Sequence, residues 1–183
     1  MKRVIIYVFL LTIIFVSFVS AEKLLYVIDG DTIKILQNNE KISVRFLGID
    51  TFETKDSKRG YQQAKEQGIS INEVMEFGER AKDYLKSIIS DNVVLKYDKN
   101  NKNSGHLDKY DRLLAYVFTD KGLFLNEKML EEGHALLLTQ YPLEKKYSEK
   151  LLEAYTSAVM TGKGFGPIGA DYNLYWGKDK FWQ

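Results

Sequence analysis

The sequence predicts an α+β fold in which five short strands roll into a small β-barrel with about three α-helices around it. Three observations predict it. Apolar and polar residues alternate with a period of two over residues 23–37 and 41–49, the pattern of half-buried strands. Strand-length apolar runs bounded by turn residues follow at 93–97 and 113–118. Between and after these runs, apolar residues recur at three- and four-residue steps in two longer segments, as on one face of a helix.

The elements follow in chain order. Ile33 and Ile35 sit opposite Lys34, and Ile42, Val44 and Phe46 sit opposite Ser43 and Arg45. Gln37-Asn38-Asn39-Glu40 supplies the hairpin turn between the two runs. Arg45 therefore lies on the face away from Val44 and Phe46, which a small barrel can use as a binding groove. Residues 55–70 are polar and read as a loop with one short helix at most. Ser70 and Glu73 have capping-box spacing, and Val74, Phe77, Ala81, Leu85 and Ile88 behind them mark an amphipathic helix. Gly78 weakens its middle, since glycine costs ~1 kcal/mol there against alanine.

After the third strand at 93–97, a Lys/Asn/Gly loop runs through His106. Residues 113–118 and 123–125 bracket Thr119-Asp120-Lys121-Gly122, a hairpin signal. Asn126 is expected to cap a short helix that stops at Gly133, and residues 135–138 form a short strand. Beyond Pro142, Leu143, Tyr147, Leu151, Ala154, Tyr155 and Ala158 line one face of a helix ending near Gly162. These elements suit a partly open five-stranded barrel of the OB type. Its bent strands call for bulges or glycines at the corners, Gly48 being one candidate.

The 183 residues include 45% hydrophobic and 28% charged residues and two prolines, which fits one domain with a sizeable core. Residues 1–21 read separately: Lys2 and Arg3 precede a long apolar run, and Val19-Ser20-Ala21 offers small residues for cleavage. That is the layout of a secretory signal peptide cut after Ala21; the alternative is an uncleaved membrane anchor. The expected organisation is a leader at 1–21, one domain at 22–166 and a glycine- and aromatic-rich arm at 167–183. Cysteine is absent, which excludes a disulfide framework. Two of the 26 basic residues leave with the leader, so 24 face 25 acidic ones and the net charge is about −1. A generally basic nucleic-acid binder is thereby excluded, and any polyanion must be held by local charge.

Such local charge exists: Lys55, Lys58, Arg59 and Lys65 follow Glu53, and Lys96, Lys99, Lys102 and Lys109 precede Arg112. Asp29-Gly30-Asp31-Thr32, then Arg45 with Asp50-Thr51-Phe52-Glu53, then Asp108-Lys109-Tyr110-Asp111-Arg112 combine hard carboxylates with two arginines. Carboxylates bind Ca²⁺ or Mg²⁺, and guanidinium forks bind phosphate oxygens in a bidentate way. Both together suit phosphate-ester chemistry. Taken singly, each residue has an ordinary explanation: Asp-Gly-Asp as a turn, a strand arginine as surface, His106 and His134 as loop and packing residues.

The order Asp-Gly-Asp-Thr, Arg-x₄-Asp-Thr-x-Glu, Asp-Lys-Tyr-x-Arg and Gly-His-Ala resembles the staphylococcal nuclease (thermonuclease) family from about Leu25 to Gly164. The resemblance implies an OB-fold, frequent secretion, and Ca²⁺-dependent hydrolysis of DNA and RNA to 3′-phosphate products. By position, it implies calcium held by Asp31, Asp50 and the Thr51 carbonyl, a water oriented or deprotonated by Glu53, and a phosphate gripped by Arg45 and Arg112. It further implies nucleotide contacts from Lys109, Tyr110 and Tyr141, with Thr139 or Gln140 standing where a second tyrosine is usual.

Three departures stand out. Phe52 replaces a proline, Asp111 replaces a common glycine beside Arg112, and the stretch 55–77 is longer than the family's shortest form. The expected protein is a monomeric exported nuclease preferring single strands. The competing readings are a non-catalytic OB-fold module binding single-stranded nucleic acid and a calcium-stabilised surface protein.

Overall fold

The computed structural model describes residues 21–165, so the expected leader and arm lie outside the described residues, apart from Ala21. Five strands form a closed barrel: β1 (Ala21–Asp29), β2 (Thr32–Gln37), β3 (Glu40–Phe46), β5 (Asn92–Lys96) and β6 (Leu113–Thr119). Their order is β1-β2-β3-β6-β5, with β5 returning to pair with β1. Neighbours are antiparallel except β3 and β6, which run parallel in the register Val44↔Leu113, Arg45↔Leu114, Phe46↔Ala115. A two-stranded sheet of β4 (Ile49–Asp50) and β7 (Leu136–Leu137) sits beside the barrel. The barrel is thus closed rather than partly open, because Ala21, Glu22 and Lys23 pair with Val94, Val93 and Asn92.

Four α-helices occur among the described residues: α1 (Lys58–Gln67), α2 (Ile71–Ile88), α3 (Leu125–Glu131) and α4 (Lys145–Thr161). The reading of 55–70 as mainly loop is corrected, since α1 covers most of it. Ser57 starts that helix by accepting from the Gly60 N–H, and Gly68 ends it in the left-handed conformation. The capping box of α2 forms as expected, Ser70 and Glu73 each bonding the other's backbone. Asn126 is a second correction. Phe124, without a side-chain bond, takes the cap position of α3. The buried Asn126 amide instead accepts from the Val117 N–H (2.9 Å) and donates to the Leu47 carbonyl (2.8 Å), tying β6 to the end of β3. The loop before His106 contains a 3-10 helical turn at Lys99–Ser104. Residues 123–125 make only an isolated bridge, Phe118↔Phe124.

The hairpin at 37–40 closes with Asn38 and Asn39 at φ 50° and 66°. Both central residues left-handed is the turn whose twist matches paired strands, and asparagine tolerates it. Gly48 turns the chain out of β3 at φ 83°, and β1 carries register shifts between Leu24 and Tyr26 and between Val27 and Asp29. These are the bends that barrel closure requires. Ile33, Ile35, Val44, Phe46, Leu114 and Tyr116 are buried in one core with Leu85 of α2, Leu125 and Met129 of α3, and Leu151 of α4. Each such side chain contributes ~1.5–3 kcal/mol by leaving water, so the core fixes the rim where the charged clusters meet.

Candidate active site

The turn between β1 and β2 presents Asp31, the end of β3 presents Arg45, and β4 leads into Thr51, Phe52 and Glu53. The loop before β6 supplies Lys109, Tyr110 and Arg112, and the segment after β7 supplies Leu138, Gln140 and Tyr141. All of these line one groove of about 590 Å³. Every residue that the family resemblance assigns to metal, phosphate or nucleotide contact therefore lines the same space, and of the basic patches Arg59 and Lys109 do so. Asp29, Arg59, Gln62 and Glu66 join them.

Arg45 holds the centre. One guanidinium nitrogen contacts Asp31 Oδ1, and the other lies 2.6 Å from Asp50 Oδ1. Arg45 and Asp31 are both buried, and the β2–β3 register Thr32↔Arg45 forces their approach. Asp31 Oδ2 accepts from the Thr51 N–H (2.7 Å) and its hydroxyl (3.1 Å), which draws β4 onto the β1–β2 turn. Asp29 acts locally: its Oδ1 accepts from the Asp31 N–H at 3.1 Å, closing the turn. Burial pushes the Asp29 carboxyl above its usual range, with Asp50 adding to the rise and Arg45 opposing it.

Arg112 is aimed by Asp108, whose side chain is fully buried. Its Nε donates to Asp108 Oδ2 at 2.7 Å and its N–H to Oδ1 at 3.0 Å, while the Tyr110 N–H also donates to Oδ1. Burial pushes the Asp108 acid upward, but these donors and the guanidinium outweigh it and hold the group below the ordinary carboxylate range. The Arg112 guanidinium lies 5.4 Å from the Tyr110 ring and 3.5 Å from the Thr32 hydroxyl. Asp111 adopts φ 59°, which explains a glycine preference at that position, and Arg112 pairs with Asp108 rather than with it.

Glu53 is half-buried and takes part in no ion pair among the described residues. Burial raises its acid, and the carboxylates of Asp29 and Asp50 raise it further. Its backbone is fixed from two sides. The N–H donates to Gln63 Oε1 at 2.9 Å. Behind it lies Gly78 of α2, where a Cβ would collide with the Glu53 carbonyl. The glycine that weakens the helix pattern is thus the one residue that lets α2 pack against the Glu53 turn. Phe52 is buried against Phe77 and Phe165, with centroids 5.6 and 4.9 Å away, so packing supplies stiffness that a proline ring would give covalently.

Sequence reasoning placed Arg59 only in a basic patch and missed Gln63 and the role of Asp108. Arg59 lies 2.9 Å from Asp50 Oδ2 and 3.3 Å from Glu66. Both α1 residues lay in a segment without an apolar stripe, whereas Asp108 was visible as the acid four residues before Arg112. His134 lies outside the groove, stacked on Tyr84 at 4.3 Å.

A closed five-stranded barrel thus carries acids and forked cations together on one rim. The chain belongs to the staphylococcal nuclease family: the model of the staphylococcal nuclease homologue matches residues 43–165. It is 34% identical over 151 residues to Endonuclease YncB of Bacillus subtilis (strain 168), covering 75% of this chain and 63% of that protein. It is likewise 34% identical over 151 residues to the SPbeta prophage-derived endonuclease YokF of the same strain, 75% of this chain and 45% of that protein. To Thermonuclease of Staphylococcus hyicus it is 34% identical over 137 residues, 74% and 69% of the two chains. The chain therefore spans less than two thirds of each of the two Bacillus relatives.

Proposed function

We propose that this protein is a calcium-dependent nuclease that hydrolyses phosphodiester bonds of DNA and RNA and leaves 3′-phosphate ends. The observation that carries the reading is the single groove lined by Asp31, Arg45, Asp50, Glu53 and Arg112, in a chain whose relatives are named endonuclease and thermonuclease.

The donor set fits a hard cation. Asp31 and Asp50 each place an oxygen against the same Arg45 guanidinium, and the Thr51 backbone is bonded to Asp31. Two carboxylates and the Thr51 carbonyl would hold calcium, which takes 6–8 oxygens and accepts waters among them. When bound, calcium supplies positive charge at the phosphate oxygens.

The chain's own groups perform the rest. Arg45 and Arg112 grip the equatorial oxygens, where negative charge grows as phosphorus becomes five-coordinate. One well-placed donor lowers such a barrier by ~2.7–4 kcal/mol. Glu53 orients the attacking water and takes its proton, a role favoured by an acid raised above its ordinary range. The new bond joins the water oxygen to phosphorus. The phosphorus–O5′ bond breaks, and the departing oxygen is protonated from solvent. Lys109, Tyr110 and Tyr141 would contact the nucleotide, and the exposed Tyr110 ring offers a stacking surface worth ~1–3 kcal/mol per base.

Single strands are the favoured substrate, because an in-line water must reach an exposed phosphate. The reading includes a monomer made of one domain at 22–166, exported by the leader at 1–21. Incubating the protein with a labelled single strand and testing whether the fragment ends block polymerase extension checks the product assignment. Extendable 3′-hydroxyl ends would refute it.

A further inference from the structure

The side chain of Gln63 is 2% exposed and makes three hydrogen bonds to the turn that carries the proposed metal and water-handling residues. Its Oε1 accepts from the Glu53 N–H at 2.9 Å, its Nε2 donates to the Thr51 carbonyl at 2.9 Å, and the same nitrogen reaches Asp50 Oδ2 at 3.4 Å. The orientation of the amide is determined by its partners. A backbone N–H can only face the oxygen, and a backbone carbonyl can only face the nitrogen. Glutamate in its place would keep the acceptor and lose the donor.

Helix α1 has few other reasons to lie where it does. Its buried residues are Gly60, Gln63 and Ala64, so apolar burial contributes little to docking it. Its polar anchors converge on one target, since Arg59 reaches Asp50 as well. The amide of Gln63 bridges over Phe52, joining the residues on either side of the position where a proline would otherwise restrict the backbone.

We infer that Gln63 is a positioning residue: it clasps the 50–53 turn from α1 and sets the Thr51 carbonyl and Glu53 at the spacing phosphodiester hydrolysis requires. This rests on the nuclease reading above. A group that orients others without touching substrate changes turnover rather than substrate binding, and loss of an outer partner of a metal ligand typically costs about 10–100-fold.

The test uses the full chain carrying Gln63→Met, which keeps length and apolar bulk, beside Gln63→Glu, which keeps only the acceptor. Steady-state cleavage of a single-stranded oligonucleotide in calcium should show kcat reduced about 10–100-fold in Gln63→Met with KM changed less than about threefold. Hydrogen exchange should show the Glu53 amide losing protection in Gln63→Met and keeping it in Gln63→Glu. Wild-type kcat in Gln63→Met, or a loss carried wholly by KM, overturns the inference. Should Gln63→Met not fold, a wild-type kcat in Gln63→Glu does the same. If the wild-type protein does not cleave, the nuclease reading fails. Exchange at Glu53 then decides the clasp, which equal protection in all three proteins would exclude.

Discussion

Arg45 and Arg112 carry the same charge but sit in different surroundings, and that separates what replacing each will do. Arg45 is buried between Asp31 and Asp50. Removing it leaves the buried Asp31 without its cation and Asp50 dependent on the partly exposed Arg59, and breaking a buried pair in this way costs ~3–5 kcal/mol. Arg45→Ala should therefore lower the melting temperature as well as activity. The Arg112 side chain is 29% exposed and aimed by Asp108, so Arg112→Lys should leave melting nearly unchanged. It should still lower kcat by about 100-fold or more, because an ammonium cannot reproduce the two-pronged grip. Activity and melting curves on both variants check this, and full activity in Arg112→Lys would remove its assigned role. Glu53→Gln should reduce kcat by ~10²–10⁴-fold while the fold persists, measured by initial rates beside circular dichroism.

Helix α2 packs against the Glu53 turn through Gly78, beside the contact of Phe77 with Phe52. In an exposed helix, Gly→Ala stabilises by ~1 kcal/mol. At Gly78 the added carbon meets the Glu53 and Phe52 carbonyls, and overpacking of this kind costs ~1–3 kcal/mol. Gly78→Ala should lose stability despite better helix propensity, and kcat should fall with it; a variant that melts higher with unchanged kcat would contradict the close approach. Elements with strong local signals were legible in the sequence. The Asn38-Asn39 turn, the Ser70 capping box and the face of α4 depend on neighbours within a few residues. Helix α1 was not legible, because it buries an amide and almost no apolar stripe. Asn126 misled for the opposite reason: asparagine before a helix signals a cap, while its amide serves strands β3 and β6, far apart in sequence from each other. The same physics made Asp31, Arg45, Asp50 and Arg112 readable as a set and left Gln63 unassigned, since it bonds backbone groups 10 and 12 residues away that only the folded chain brings near; Asp108 bonds Tyr110 and Arg112 within four residues, a local signal that went unread.

At the scale of the molecule, stability should depend on pH through His134. Burial pushes its imidazole below the ordinary value of 6.5, and the charge of Arg80 adds to the effect. The unfolded chain takes up a proton as pH falls through 6.5, while the folded chain resists. The neutral imidazole therefore contributes full stability above that pH and loses it as pH falls toward the folded value. His134→Phe keeps a ring against Tyr84 and removes the titration. The fall in melting temperature between about pH 7.5 and about pH 5.5 should then be smaller than in the wild type. An identical fall in both proteins would show that the acid sensitivity lies elsewhere.

The barrel closes so that the β1–β2 turn, the 50–53 turn and the 108–112 loop meet on one rim, and the proposed activity depends on a hard cation and two guanidinium groups acting there on one phosphate. The most direct measurement is the rate at which the purified protein cleaves single-stranded DNA in calcium and again after chelation with EGTA. The account predicts fragmentation in calcium and a rate lower by about 100-fold or more in chelator. Equal cleavage in the two conditions, or no cleavage in either, would contradict it.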